Sequence, residues 1–235
     1  MLHLQQARYM GRISTRMAFL FFRLSGRSQN FAMYPYGPRA FPRLYFLART
    51  EKAGHKIDRG GDPMKNHMRY SINTTDYLER YHSILNEMIA QMSSVELTGS
   101  ISADFIRKML PHHRAAIAMS ENLLRYTTNI PLQNIALDII STQKRSIENL
   151  SAAEEVCSGY TNTPAELTAY LKKSDRIIQH MFHEMRYARS TNSIDADFMR
   201  EMIPHHEGAI GMSENARSYP ICPELIPLLN EIIIT

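Results

Sequence analysis

Two pairs of adjacent histidines are the residues of this sequence best suited to chemistry. The first pair follows Pro111 directly and the second follows Pro204. On a helix, residues three, four and seven apart share a face, so each pair falls on one stripe with methionines before and after it. The stripes predict a metal site with primary imidazole ligands His112, His113, His205 and His206 and secondary thioether ligands Met109, Met119, Met202 and Met212.

Ligand softness indicates which metal such stripes favour. Methionine sulfur is neutral and polarizable and prefers Cu(I) or Ag(I), while imidazole adds affinity for copper, zinc or nickel. Carboxylates are missing from the first stripe, where Lys108 and Arg114 occupy the positions of Glu201 and Glu207. A ferritin-type di-iron centre needs Glu-x-x-His pairs, which the two stripes lack. We therefore expect copper, with Cu(I) favoured, and no enzymatic activity, because no general base, nucleophile or substrate pocket is evident.

The helices that precede the stripes carry further candidate ligands. Their methionines are spaced i and i+4, which places both members of each pair on one helix face. These candidates are Met88, Met92, Met181, Met185, His180 and His183. The sequence does not show that these faces meet the histidine pairs.

The same residues have a plainer explanation. Methionine at helical spacing is more often core packing than metal ligation, because its flexible side chain fills irregular gaps. Adjacent histidines point about 100° apart on a helix, which leaves one of each pair free to face water. The alternative function is thus a structural or interaction module whose methionine-rich faces mediate oligomerisation without metal, for example with a second copy of the chain.

The stripes belong to an internal repeat with an offset of 93 residues, since segment 104–122 recurs as 197–215. The repeat units span about 74–156 and 164–235. Thr235, the last residue, corresponds to Thr142, so the second copy stops inside its third helix. This ending predicts exposed apolar surface, a truncated product or a partner that completes the domain.

Periodicity predicts three helices in each unit and no strands, so the fold class is all-α. Around the two motif segments, the predicted helices cover 74–94, 131–156, 164–189 and 223–235. Ser102 and Asp195 are candidate caps of the motif helices. Thr163, followed by proline and Glu166, predicts a capped start for the fourth helix.

Pro111 and Pro204 interrupt the hydrogen bonding of the motif helices. A proline inside a helix removes one backbone donor, so each motif helix either kinks at the proline or begins there. We favour a kink, because Phe105 and Met109 continue the apolar stripe upstream.

The charge of the chain is divided between two regions. Residues 1–70 hold 13 Lys+Arg and 3 Asp+Glu, a net of +10, whereas residues 71–235 hold 14 and 20, a net of −6. The positive charge therefore gives no reason to expect nucleic-acid binding by the helical domain. Turn-forming residues recur through the leader, 1–70, which we expect to be disordered.

Three origins of the leader remain open. Its apolar run after arginines resembles the apolar region of a signal peptide but is short and lacks a cleavage pattern, and its composition resembles an organellar transit peptide. Alternatively, translation starts at Met64 or Met68. A start there predicts a cytoplasmic protein, with export or the cell envelope as the alternative.

Two further classes are disfavoured. Cys157 and Cys222 lie far apart and form no CxxC, so we expect neither a disulfide framework nor a cysteine zinc site. No stretch approaches the roughly 18 uninterrupted apolar residues of a spanning helix, so we expect no integral membrane segment.

The repeated segment Asp-Phe-[Ile/Met]-Arg-x-Met-[Leu/Ile]-Pro-His-His-x-[Ala/Gly]-Ala-Ile-x-Met closely resembles the signature of the domain of unknown function 305 family. The resemblance covers about residues 74–235. It implies a ferritin-like four-helix bundle made of the motif helix and the following helix of each copy, with the helix near 164–190 as the connection. It also implies an association with copper binding and resistance. Where the family commonly has an acidic residue and a methionine in the third helix, this chain has Ser146 and Leu150.

Overall fold

The computed structural model describes residues 70–234; residues 1–69, which hold nearly all of the predicted leader, and Thr235 lie outside the described part. The described chain forms helices and no strands, which confirms the all-α prediction. In chain order the helices are α1 (Ile72–Ser93), α2 (Ile101–Leu124), α3 (Ile130–Cys157), α4 (Pro164–Arg186), α5 (Ile194–Arg217) and α6 (Leu225–Ile233).

The two motif helices, α2 and α5, pack against each other and join the two repeat units. Each also packs against the helices before and after it in its own unit. α3 contacts α6, so α2, α3, α5 and α6 form the expected four-helix bundle. α1 and α4 contact each other as well, through a hydrogen bond that the Tyr81 hydroxyl donates to the Met185 carbonyl over 2.8 Å. α4 is therefore a packed counterpart of α1 as well as the connection between units.

The starts of the motif helices differ from the sequence prediction. The side chains of Ser100 and Ser193 accept hydrogen bonds from backbone N–H groups in the first turns of α2 and α5. The expected caps Ser102 and Asp195 were wrong, because these residues lie inside the helices. In each case the hydroxyl of a serine two residues earlier already satisfies a free N–H of the first turn.

The prediction for the start of α4 is confirmed. Thr163 and Glu166 form a reciprocal capping box in front of Pro164. α6 begins at Leu225, two residues after the expected Pro223, and Glu224 at its N-cap makes no side-chain capping bond.

Pro111 and Pro204 lie inside continuous helices, so neither motif helix begins at its proline. Each proline leaves one carbonyl of the preceding turn without its helical donor. The helix nevertheless continues because its apolar face is buried on both sides of the proline. Phe105 and Met109 before Pro111, and Ala116 and Met119 after it, are all fully buried.

The structure contradicts the expectation that the two cysteines form no disulfide. Cys157, the last residue of α3, forms a disulfide with Cys222, which precedes α6, and their Cα atoms are 5.5 Å apart. Spacing along the sequence did not reveal this pair, because the packing of α3 against α6 brings the two ends together. The backbone N–H of Cys222 also donates to the hydroxyl of Ser102 on α2. The disulfide therefore joins the third helix of the first unit to the second unit.

None of the helices in residues 70–234 is long and apolar enough to cross a lipid bilayer.

Candidate metal centre

The imidazoles of His112 and His205 meet where α2 crosses α5. Their rings stack with centroids 3.6 Å apart and planes inclined by 28°. The Nε2 of His112 lies 3.0 Å from the backbone oxygen of His205, and the Nε2 of His205 lies 3.1 Å from the backbone oxygen of His112. This reciprocal pair places one histidine of each repeat at the interface between the units.

These hydrogen bonds fix the tautomer of both rings. A backbone carbonyl only accepts, so each Nε2 carries the proton and each Nδ1 keeps a free lone pair. The Nδ1 atoms of His112 and His205 are buried, and no described residue gives them a hydrogen-bond partner. Metal-binding histidines typically donate their other ring N–H to a carbonyl or carboxylate in this way. Both rings therefore present a buried, oriented nitrogen that suits a metal ion.

His113 and His206 extend the same cluster but have different surroundings. The Nε2 of His113 lies 3.0 Å from the hydroxyl of Ser146 on α3, and its Nδ1 is buried without a partner. The Nδ1 of His206 donates to the carbonyl of Met202 at 2.9 Å, which leaves Nε2 as the free acceptor. His113 is fully buried and His206 is half-buried, so in the first unit neither histidine faces water.

All four imidazoles line one cavity of about 50 Å³ between the motif helices and the third helices. This volume holds an ion with one or two waters, since a single water needs roughly 10–15 Å³ of such space. Polar residues from α3 and α6 also line the cavity, together with the apolar residues Ala209, Ile210 and Ile232: Thr142, Gln143, Arg145, Ser146 and Glu231. The four histidines thus share one cavity rather than forming two separate sites.

Burial keeps the four rings neutral. Loss of solvation lowers the pKa of His112 to about 3 and depresses the pKa of His113 and His205 far below the usual range. It also lowers the pKa of His206. At neutral pH each ring is an uncharged ligand with an available lone pair.

The imidazole nitrogens are not gathered as tightly as metal ligands are. Among the described residues, one group of three His, Cys, Asp or Glu side chains has its ligand atoms within 4.8 Å of one another, and this group is Cys157, Cys222 and Glu224. Closing the four imidazoles around an ion therefore requires rotation of the side chains into the cavity.

The structure places the candidate methionines in the core. Met109, Met119, Met202, Met212, Met88, Met92, Met181 and Met185 are all buried. None of them lines the four-histidine cavity. Met88 and Met181 line two equivalent clefts beside Pro111 and Pro204, with Met181 pressed against Gly208. A ligand role for these eight residues stays a prediction.

His180 and His183 lie on the exposed side of α4. His180 lines the cleft with Met181, while the ring of His183 packs against Tyr187 with centroids 4.7 Å apart. The structure therefore does not bring these two histidines to the shared cavity.

Two polar features of the structure were missed by sequence reasoning. Gln143 lines the cavity, and its buried side-chain oxygen has no hydrogen-bond partner among the described residues. Ser146 contacts His113, although the sequence indicated Ser146 only as a departure from the family pattern. Glu201 is buried and accepts a hydrogen bond from the hydroxyl of Tyr77 on α1. The available signal in the sequence was that the equivalent position of the first unit holds the oppositely charged Lys108.

Fold and site together define a class: a helical protein made of two copies of a three-helix unit, whose paired histidines line one cavity. The sequence model of the family described as Domain of unknown function (DUF305) matches residues 102–235, more than half of the chain. The chain belongs to this family. No curated protein and no solved structure matches it significantly.

Proposed function

We propose that this protein binds a soft metal ion, Cu(I) in preference, at the cavity shared by His112, His113, His205 and His206. The observation that carries the proposal is the set of buried Nδ1 atoms without partners on His112, His113 and His205. A buried nitrogen lone pair without a donor is costly unless something occupies the space in front of it. The lone pairs of His112 and His205, together with the unpartnered Nδ1 of His113, favour a cation as the missing partner.

The charge of the cavity favours a monovalent ion. The four imidazoles are neutral, and the charged side chains at the rim, Arg145 and Glu231, have opposite signs. The cost of taking an ion out of water rises with the square of its charge, so uncharged ligands compensate a divalent ion less well. Cu(I) and Ag(I) combine low charge with affinity for imidazole. The proposed role is binding for buffering, sequestration or resistance, and not catalysis.

The disulfide bears on the compartment. Disulfides persist in oxidising environments and are rare in the cytosol. The bond between Cys157 and Cys222 therefore favours an exported or envelope location over the cytoplasm.

A competition titration tests the proposal. Purified protein is titrated with Cu(I) against a chromophoric chelator, together with a variant in which all four cavity histidines are alanine. We expect one equivalent bound by the native protein and at least a hundredfold weaker binding by the variant. The matched control is His180→Ala with His183→Ala, which removes two exposed histidines and leaves the affinity unchanged. Equal affinity of the native protein and the four-alanine variant would overturn the proposal.

A further inference from the structure

A second group of potential ligands lies at the far end of α3. The sulfurs of Cys157 and Cys222 and a carboxylate oxygen of Glu224 fall within 4.8 Å of one another. Both cysteines are buried, whereas Glu224 is exposed. The group is separate from the histidine cavity, because Cys157 lies 11 residues after Ser146, about 16 Å along the helix.

The orientation of Glu224 is the second observation. The N-cap residues of α1 to α5 all accept a backbone N–H with their side chains. Glu224, the N-cap of α6, does not; its Oε2 lies 3.0 Å from the Sγ of Cys222 instead. A disulfide sulfur has no proton to donate. The carboxylate is therefore positioned to accept a hydrogen bond from a thiol at Cys222, or to bind a cation together with its sulfur.

We infer that Cys157, Cys222 and Glu224 form a redox-gated site for a divalent cation of the zinc class. In the oxidised protein the disulfide closes the site. A dithiol reductant breaks the S–S bond by supplying two electrons and two protons, and is itself oxidised to a disulfide. The cation then displaces the two thiol protons into water and binds two thiolates and one carboxylate.

The geometry suits this ligand set. Zinc binds thiolate at about 2.3 Å, so two sulfurs of a tetrahedral site lie about 3.8 Å apart. The Cα atoms are 5.5 Å apart, and rotation of the cysteine side chains opens the sulfurs to that separation. The ligands carry three negative charges, in contrast to the neutral histidine cavity. Water completes the fourth position on the exposed side, next to Glu224.

Cobalt(II) spectroscopy tests the inference. The full chain is reduced with a phosphine, freed of reductant without oxygen, and titrated with Co²⁺. We expect one equivalent to produce a thiolate-to-cobalt charge-transfer band that Zn²⁺ then abolishes. The band will be absent from the oxidised protein and from Cys157→Ser, and present in the variant without cavity histidines. The experiment therefore tests the thiolate site separately from the proposed histidine site, and either proposal can be overturned without the other.

Glu224→Gln tests the third ligand, with exposed Glu148→Gln on α3 as the matched control. We expect the first to weaken Zn²⁺ binding at least tenfold and the second to leave it unchanged. Should reduction unfold the chain, one equivalent of Zn²⁺ restores the helical circular dichroism. No thiolate band on a folded reduced chain, no refolding of an unfolded one, or an unaffected Glu224→Gln would each overturn the inference.

Discussion

The two repeat units share the contacts that hold their motif helices in place. The side-chain amide of Asn122 donates to the carbonyl of Tyr77 at 3.0 Å, and that of Asn215 donates to the carbonyl of Tyr170 at 3.1 Å. The reciprocal histidine pair obeys the same symmetry. In both units these contacts fix the motif helix to its neighbours.

The units differ where side chains fill the space around that framework. Lys108 corresponds to Glu201, which is buried against Tyr77. Ala115 corresponds to Gly208, which leaves room for Met181. Duplication has thus kept the contacts that set helix positions, while the packing and the polar partners of the site have diverged.

The first prediction concerns the disulfide that links the two units. Replacing both Cys157 and Cys222 with serine should lower the free energy of unfolding by about 4 kcal/mol, because the disulfide closes a long loop in the unfolded chain. Urea denaturation of oxidised, metal-free protein measures the change. Native protein under reducing conditions is the control and should match the variant. Unchanged stability would show that helix packing alone holds the units together.

Glu201 should make the second unit sensitive to pH. Burial raises the pKa of its carboxyl to about 8. Below about pH 4.5 Glu201 is protonated in both folded and unfolded chains. As the pH rises from there towards 8, the unfolded chain ionises first, so folded stability falls by up to about 1.4 kcal/mol per pH unit.

Glu201→Gln keeps a hydrogen-bond acceptor for Tyr77 and removes the ionisation. The stability advantage of this variant over native protein should therefore grow from about pH 4.5 to about pH 8 and then level off. Chemical denaturation at a series of pH values measures the difference. A difference independent of pH would mean that Glu201 ionises normally in the folded protein.

Gly208→Ala tests the divergent packing. An added Cβ would lie 2.2 Å from the Sδ of Met181 and 3.0 Å from its Cβ, so Met181 must move. Overpacking costs about 1–3 kcal/mol, which exceeds the gain of up to about 1 kcal/mol in helix propensity. Thermal denaturation should show net destabilisation.

The matched control for this change is Gly211→Ala. Its added Cβ would meet the Cγ2 of Ile177 at 3.1 Å, a milder contact. We expect the gain in helix propensity to offset this contact, with a net change of about zero. Equal effects of the two substitutions would contradict the difference in packing.

Substitutions at two asparagines test the framework that the units share. Asn122→Ala and Asn215→Ala should each destabilise the fold by about 1–2 kcal/mol, because each removes a buried hydrogen bond between two helices. Asn215→Ala should cost more, since Asn215 also donates to the hydroxyl of Ser174 at 2.9 Å. Denaturant titration of both variants and the double variant measures these effects. A loss confined to one variant would contradict the equivalence of the units.

The sequence by itself determined the helices and the duplication. Helical periodicity is a local property, and the 93-residue offset is visible without structure. The family signature around the paired histidines was equally recognisable in the sequence, and membership of the family is confirmed. Helix ends were less predictable, as Ser100 and Ser193 show, because several nearby hydroxyls can cap the same turn.

The tertiary structure decided which residues share a site. The crossing of α2 and α5 brings His112 against His205, and the packing of α3 adds Ser146 to His113. The same packing pairs Cys157 with Cys222, which lie 65 residues apart. Sequence spacing could not reveal these contacts, because they depend on how whole helices pack, and the faces that meet are set by the collective burial of the core.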